Sequence, residues 1–117
     1  MAAIRRIQSI PELDVVLERS KERPVWIFKH SLTCPISSRA WDEFQSFAAG
    51  RPEGDGVYVL IEIQNARPLS NAVAERTGLR HQSPQAILLR NAAVAWHASH
   101  YSIEVAALLR AFGEPTR

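Results

Sequence analysis

Apolar residues in this chain follow two spacings, and the switches between them mark its elements. Pro24-Val-Trp-Ile-Phe-Lys-His30 and the run from Val57 to Ile63 are nearly continuous and rich in β-branched and aromatic residues, the pattern of strands buried on both faces. Gln85–Arg90 reads as another strand, and after a short turn near Asn91 a further strand is expected over Val94–Ala98. Elsewhere the spacing turns helical. Ser9-Ile-Pro-Glu12 sets a serine three residues ahead of a glutamate, a capping box that predicts a helix over about 10–20 carrying Leu13, Val16 and Leu17. From Pro35, a favoured first helical residue, Ile36, Ala40, Phe44 and Phe47 continue at helical spacing as far as Gly50. Pro68 to Thr77 predicts a third helix, closed by Gly78 in the left-handed conformation. Val105, Leu108, Leu109 and Phe112 form the stripe of a fourth, with Ser102 as its cap and Gly113 as its stop. Residues 4–7 complete the set as a short strand.

Strand, helix, strand implies a parallel pair joined by a right-handed crossover. A β-α-β half followed by an α-β-β-α half is the layout of the thioredoxin fold, an α/β architecture in which helices flank both faces of a small mixed sheet. Composition agrees with one such unit. With 117 residues, 46% of them hydrophobic and 22% charged, the chain is expected to form a single thioredoxin-like domain over 1–117. A chain of this length buries roughly 60–70% of its unfolded surface, enough for a core without metal or disulfide staples.

Charge and cysteine content narrow the function. Fourteen Lys and Arg against twelve Asp and Glu leave a net charge of +2, scattered along the chain, which gives little support for a nucleic-acid partner. No apolar stretch approaches the roughly 20 residues of a membrane-spanning helix. The start, Met1-Ala-Ala-Ile-Arg-Arg-Ile, lacks the apolar core of a secretory signal, so a cytoplasmic location is expected. The one cysteine, Cys34, excludes an internal disulfide and any Cys-X-X-Cys couple. Thiol chemistry in this chain is therefore monothiol.

Cys34-Pro35-Ile36-Ser37 lies where a buried strand feeds a helix, so the sulfur faces the free N–H groups of the first turn. Pro35 has no N–H, which leaves Ile36, Ser37 and the Ser37 hydroxyl as candidate donors to a thiolate. A thiol of ordinary pKa, about 8.5, is only about 7% ionised at pH 7.4, and lowering it to about 6 takes roughly 3.4 kcal/mol. A helix dipole supplies about 0.3–1 kcal/mol, or about 2 in a favourable buried geometry. The remainder calls for charge-assisted hydrogen bonds or a cation, and Lys29 at the end of the strand is the candidate. Ser37 stands where a dithiol oxidoreductase carries its resolving cysteine; a hydroxyl does not attack a disulfide, so an outside thiol must release the intermediate. In this architecture a cis-proline opens the strand opposite the reactive helix, which singles out Pro84 and brings the Ser83 backbone beside the sulfur.

Phe28-Lys-His-Ser-Leu-Thr-Cys-Pro-Ile-Ser37, Asn65-Ala-Arg-Pro-Leu-Ser-Asn71, His81-Gln-Ser-Pro-Gln85 and Trp96-His-Ala-Ser-His100 closely resemble, in order and spacing, the YtxJ family, the monothiol bacilliredoxins. The likeness runs from about residue 24 to 112. It implies a thioredoxin fold and a role in bacillithiol metabolism, with Cys34 as reactive cysteine and Pro84 as cis-proline. It further implies that Cys34 takes bacillithiol, or another low-molecular-weight thiol, from S-thiolated proteins, and that a second thiol molecule regenerates it. Lys29, Arg67, Arg80 and His81 are the groups available to receive the malate carboxylates of bacillithiol. The thiol acts as co-substrate, and no bound cofactor is expected. His97 and His100 with Cys34 are too few ligands for a structural zinc site. A cluster bridged between two copies of Cys34 is conceivable, but no residue calls for it. Trp26, Trp41 and Trp96 read as packing residues. The competing readings are a noncatalytic thioredoxin-fold binding module with an inert Cys34, and a redox sensor whose modified Cys34 alters a partner interface.

Overall fold

The computed structural model describes residues 1–113. Its elements run β1 (Ile4–Arg6), α1 (Ile10–Arg19), β2 (Val25–His30), α2 (Pro35–Ala49), β3 (Val57–Glu62), α3 (Arg67–Thr77), β4 (Gln85–Arg90), β5 (Ala93–Ser99) and α4 (Val105–Phe112). Short 3-10 turns at Ile63–Asn65 and His100–Ser102 precede α3 and α4. The five strands form one mixed sheet in the order β1-β3-β2-β4-β5. β3 runs parallel to both β1 and β2, while β4 is antiparallel to β2 and β5. This is the mixed α/β arrangement with helices on both faces that the spacing predicts.

All six residues of β2 are buried, because the strand lies at the centre and its alternation feeds two cores. Trp26 and Phe28 point into one layer with Phe44 and Phe47 of α2 and Leu108 of α4. Val25 and Ile27 point into the other, with Leu13 and Val16 of α1 and Leu69 and Val73 of α3. The first layer is aromatic: Trp26 meets Phe47 edge-on at 5.1 Å, and Phe28 stacks on Phe44 at 5.1 Å. Trp41 and Trp96 pack against the same layer. Continuing the alternation by one step each, Lys29 falls on the α1/α3 face and His30 on the α2/α4 face.

Local caps follow the sequence at three ends and depart from it at one. Ser9 and Glu12 form the capping box reciprocally at α1. Gly78 and Gly113 close α3 and α4 with φ of 74° and 80°, in the left-handed region that glycine adopts without a Cβ penalty. Ser102 is not the cap of α4. It ends the preceding 3-10 turn, and the helix starts three residues later at Val105, whose N–H donates to Glu43 Oε1 of α2 at 2.9 Å. The cap is supplied across the α2/α4 interface, so the local sequence does not carry it.

Candidate functional site

The site begins where β2 ends. Cys34 holds an extended backbone, φ −106° and ψ 120°, at the N-cap of α2 with Pro35 as first helical residue, and its thiol is part-exposed. The Cys34 carbonyl accepts the Ser38 N–H at 3.1 Å, closing the first turn, while the side chain accepts no cap hydrogen bond. The expected donors Ile36 and Ser37 are thus in place on the first turn without engaging the sulfur.

The Ser37 hydroxyl departs further from expectation. Ser37 is fully buried, its Oγ accepts the Ser31 N–H at 2.8 Å, and it lies 2.8 Å from His30 Nδ1. Its hydrogen bonds run to β2 and the turn below, so the hydroxyl is not a donor to the thiol. His30 is itself only 8% exposed and stacks on Trp41 at 5.7 Å. Burial pushes its pKa down, against a smaller upward pull from Glu62, so the ring sits neutral against the serine. This pair was not read from the sequence. The signal that could have found it is the period-2 parity of Trp26, Phe28 and His30, which points the ring at α2.

Lys29 also behaves differently from the cation expected beside the sulfur. It is fully buried, and its Nζ meets His81 Nδ1 at 3.1 Å on the α3 side. Desolvation lowers its pKa to about 8. A protonated amine only donates, so it holds the neutral imidazole with Nδ1 as acceptor and the proton on Nε2. Ser70 Oγ, on α3, lies 3.4 Å from the same nitrogen. His81 is exposed, and its pKa is pulled down by partial burial, then by the Lys29 and Arg67 charges. Lys29 and His81 are therefore in contact, with the Arg67 charge felt at His81, but Lys29 serves His81 and has no exposed surface to offer a solvent-borne carboxylate.

The Ser83–Pro84 peptide is cis, with Pro84 buried. The β2–β4 register pairs Lys29 with Gln85, so Ser83 and Pro84 occupy the same end of the sheet as the turn leading to Cys34. Ser83 Oγ is buried without a hydrogen-bond partner, and the Pro84 carbonyl accepts the His100 N–H at 3.2 Å. Arg80 is exposed, with its carbonyl taken by Gln85 Nε2 at 3.3 Å. A cleft of about 700 Å³ runs along β5 and is not lined by Cys34. Among the described residues no three His, Cys, Asp or Glu side chains converge as metal ligands, and no helix is long and apolar enough to cross a membrane.

One more residue had no signal in the sequence. Gln64, in the 3-10 turn after β3, accepts the Leu32 N–H at 3.0 Å and donates to Ser31 Oγ at 3.0 Å and Thr33 Oγ1 at 3.3 Å. The turn that presents Cys34 is thereby tied to β3 on one side and, through Ser37, to α2 on the other.

Comparison with solved structures places this fold among thioredoxin-fold proteins. A thioredoxin-fold chain proposed to be an oxidoreductase is 35% identical, with a TM-score of 0.83 and 92% of each chain covered. Thioredoxin from Malassezia sympodialis aligns at TM-score 0.73 and 14% identity over 96% of this chain and 90% of its own, and thioredoxin from Trypanosoma brucei brucei at 0.74 and 11% over 93% and 87%; these two attest the fold alone. The family described as monothiol bacilliredoxin BrxC matches residues 5–108. With its single cysteine at the head of α2 and a match spanning most of its length, the chain belongs to the monothiol bacilliredoxin family of thioredoxin-fold thiol redox proteins.

Proposed function

We propose that this chain is a cytoplasmic thiol-disulfide oxidoreductase that removes bacillithiol from protein mixed disulfides through Cys34. The observation that carries the reading is the contrast between two positions of α2: a part-exposed thiol at its N-cap, and a fully buried, doubly engaged Ser37 three residues on, where a resolving thiol would stand. The Cys34 thiolate attacks the bacillithiol sulfur of the mixed disulfide. The protein leaves as thiolate, and a Cys34–bacillithiol disulfide forms. A second bacillithiol thiolate attacks the small-thiol sulfur of that bond, giving bacillithiol disulfide and restoring the Cys34 thiolate. Two electrons pass from bacillithiol to the protein disulfide, and Cys34 ends as it began. Another low-molecular-weight thiol would run the same exchange.

The Ile36 and Ser37 amides, unclaimed by the sulfur in the free protein, are the donors assigned to the thiolate as it forms. Arg67 and the Nε2–H of His81, both on exposed residues, are assigned to the malate carboxylates of bacillithiol. The Ser83–Pro84 turn, at the same end of the sheet, is assigned to the backbone of the S-thiolated protein.

The test uses a bacillithiolated protein substrate, bacillithiol and mass spectrometry. Wild type should release the free protein thiol and carry one bacillithiol on Cys34 when the second thiol is withheld. Cys34→Ser should do neither. Wild-type Cys34 that is alkylated freely but leaves the mixed disulfide intact overturns the enzyme reading in favour of a sensor; a thiol inert in both assays leaves a binding module.

A further inference from the structure

All three residues between the end of β2 and Cys34 are held by one side chain. Gln64 takes the Leu32 amide on Oε1 and both flanking hydroxyls, Ser31 and Thr33, on Nε2, across 31 to 33 positions of sequence. A primary amide is suited to this, because it offers an acceptor for the Leu32 N–H at one end and two donors for the hydroxyls at the other, whereas an apolar side chain offers neither. Gln64 is part-exposed and belongs to neither apolar core, so its contacts serve the turn and not the packing of the sheet. The cap hydrogen bond that commonly fixes an N-cap side chain is missing at Cys34. The backbone before the cysteine is therefore what aims the sulfur.

We propose that Gln64 is the positioning residue for Cys34. By fixing the Ser31–Thr33 turn it holds the thiol at one orientation over the start of α2, ready for in-line attack on a disulfide. The inference rests on Cys34 as the nucleophile of the preceding section. A thiolate must approach along the axis of the bond it breaks, so angular freedom at the sulfur lowers the rate even where ionisation is unchanged.

Two variants separate aim from ionisation. Gln64→Ala frees the turn and should slow release of the protein thiol from a mixed disulfide by about tenfold, including at high pH where Cys34 is fully ionised. Its rate with iodoacetamide, a small reagent with few orientational demands, should fall less. Gln64→Glu keeps the acceptor for Leu32 N–H and lets the Ser31 and Thr33 hydroxyls turn to donate, so aim is retained. Its negative charge should instead move the pH profile of alkylation upward, with the high-pH rate of wild type recovered. Gln64→Ala with wild-type disulfide exchange, whether or not its melting temperature drops, overturns the proposal. A fall in both reactions by one common factor also overturns it, since that reports loss of folded protein and not loss of aim. If wild type itself does not act on mixed disulfides, the enzyme reading fails separately. Exchange of Cys34 with a small aromatic disulfide such as 5,5′-dithiobis(2-nitrobenzoate) then serves as the oriented reaction for the same comparison.

Discussion

Two histidine-centred polar clusters stand at one end of the sheet, one on each face, and they differ in their access to water. On the α2 face, His30 and Ser37 are both buried and complete each other. On the α3 face, Lys29 is buried but its partner His81 is exposed and feels the Arg67 charge. The difference arises from two consecutive residues of β2 pointing in opposite directions, so parity sends His30 to a buried serine under the cysteine and Lys29, itself buried, to a histidine that faces solvent. Both are bases whose burial depresses their pKa, so each makes the fold more stable as pH rises. Their windows are separate. His30 must charge to bind a proton in the native state, so its contribution is complete above 6.5 and lost as pH falls below it. The Lys29 penalty is present below about 8 and is relieved as pH climbs toward 10.5, where the unfolded chain also loses its proton.

The largest effect expected from breaking this pair of clusters is on the closed side. Ser37→Ala strips the partner from both the Ser31 N–H and His30 Nδ1 in the interior, at about 2 kcal/mol for each group, or about 4 kcal/mol together. Urea unfolding at pH 7.5 measures it. A loss under about 1 kcal/mol would mean that water reaches the pair, and that the two clusters are not distinguished by access at all.

Lys29→Met is expected to act in the other direction. It removes a buried ammonium and keeps its volume, so at pH 7 the variant should be more stable than wild type by about 2 kcal/mol, the shift from 10.5 to about 8 less the hydrogen bond to His81. Between pH 8 and 10 wild type should gain stability and close the gap. Parallel unfolding curves at every pH in that range would show that the lysine is hydrated in the native state.

Much of the fold was legible because its signals are local. The capping box at Ser9, the glycines after α3 and α4 and the apolar runs of β2, β3 and β4 each fix an element from within a few residues. The start of α4 was not legible, since Glu43 supplies its cap from another helix. The site divides the same way. Cys34 at a strand-to-proline junction is a local signal, and the structure puts it at the N-cap of α2 as that signal predicts. Sequence adjacency to Cys34 does not carry side-chain direction: the Lys29 amine reaches His81, and the Ser37 hydroxyl reaches His30 and the Ser31 N–H. Gln64 was missed because a glutamine in a 3-10 turn carries no pattern, and its partners lie more than thirty residues away.

The smallest expected effect falls on the open side, and it decides whether that side touches substrate. Arg67→Ala removes an exposed charge that already acts on His81, so it should raise KM for a bacillithiolated protein by about threefold and leave kcat unchanged, an effect of the size surface charges provide. The rise should shrink as salt is added, because an exposed pairing with a carboxylate is screened within about 10 Å at 0.1 M. Lys29→Met, on the same cluster but buried, should leave that salt dependence in place, because the amine never meets solvent and His81 keeps its surface position. If Lys29→Met instead abolishes the salt dependence while Arg67→Ala does not, the carboxylate is bound through the tautomer of His81 and not through the arginine, and the exposed charge at the head of α3 belongs to the solvated surface.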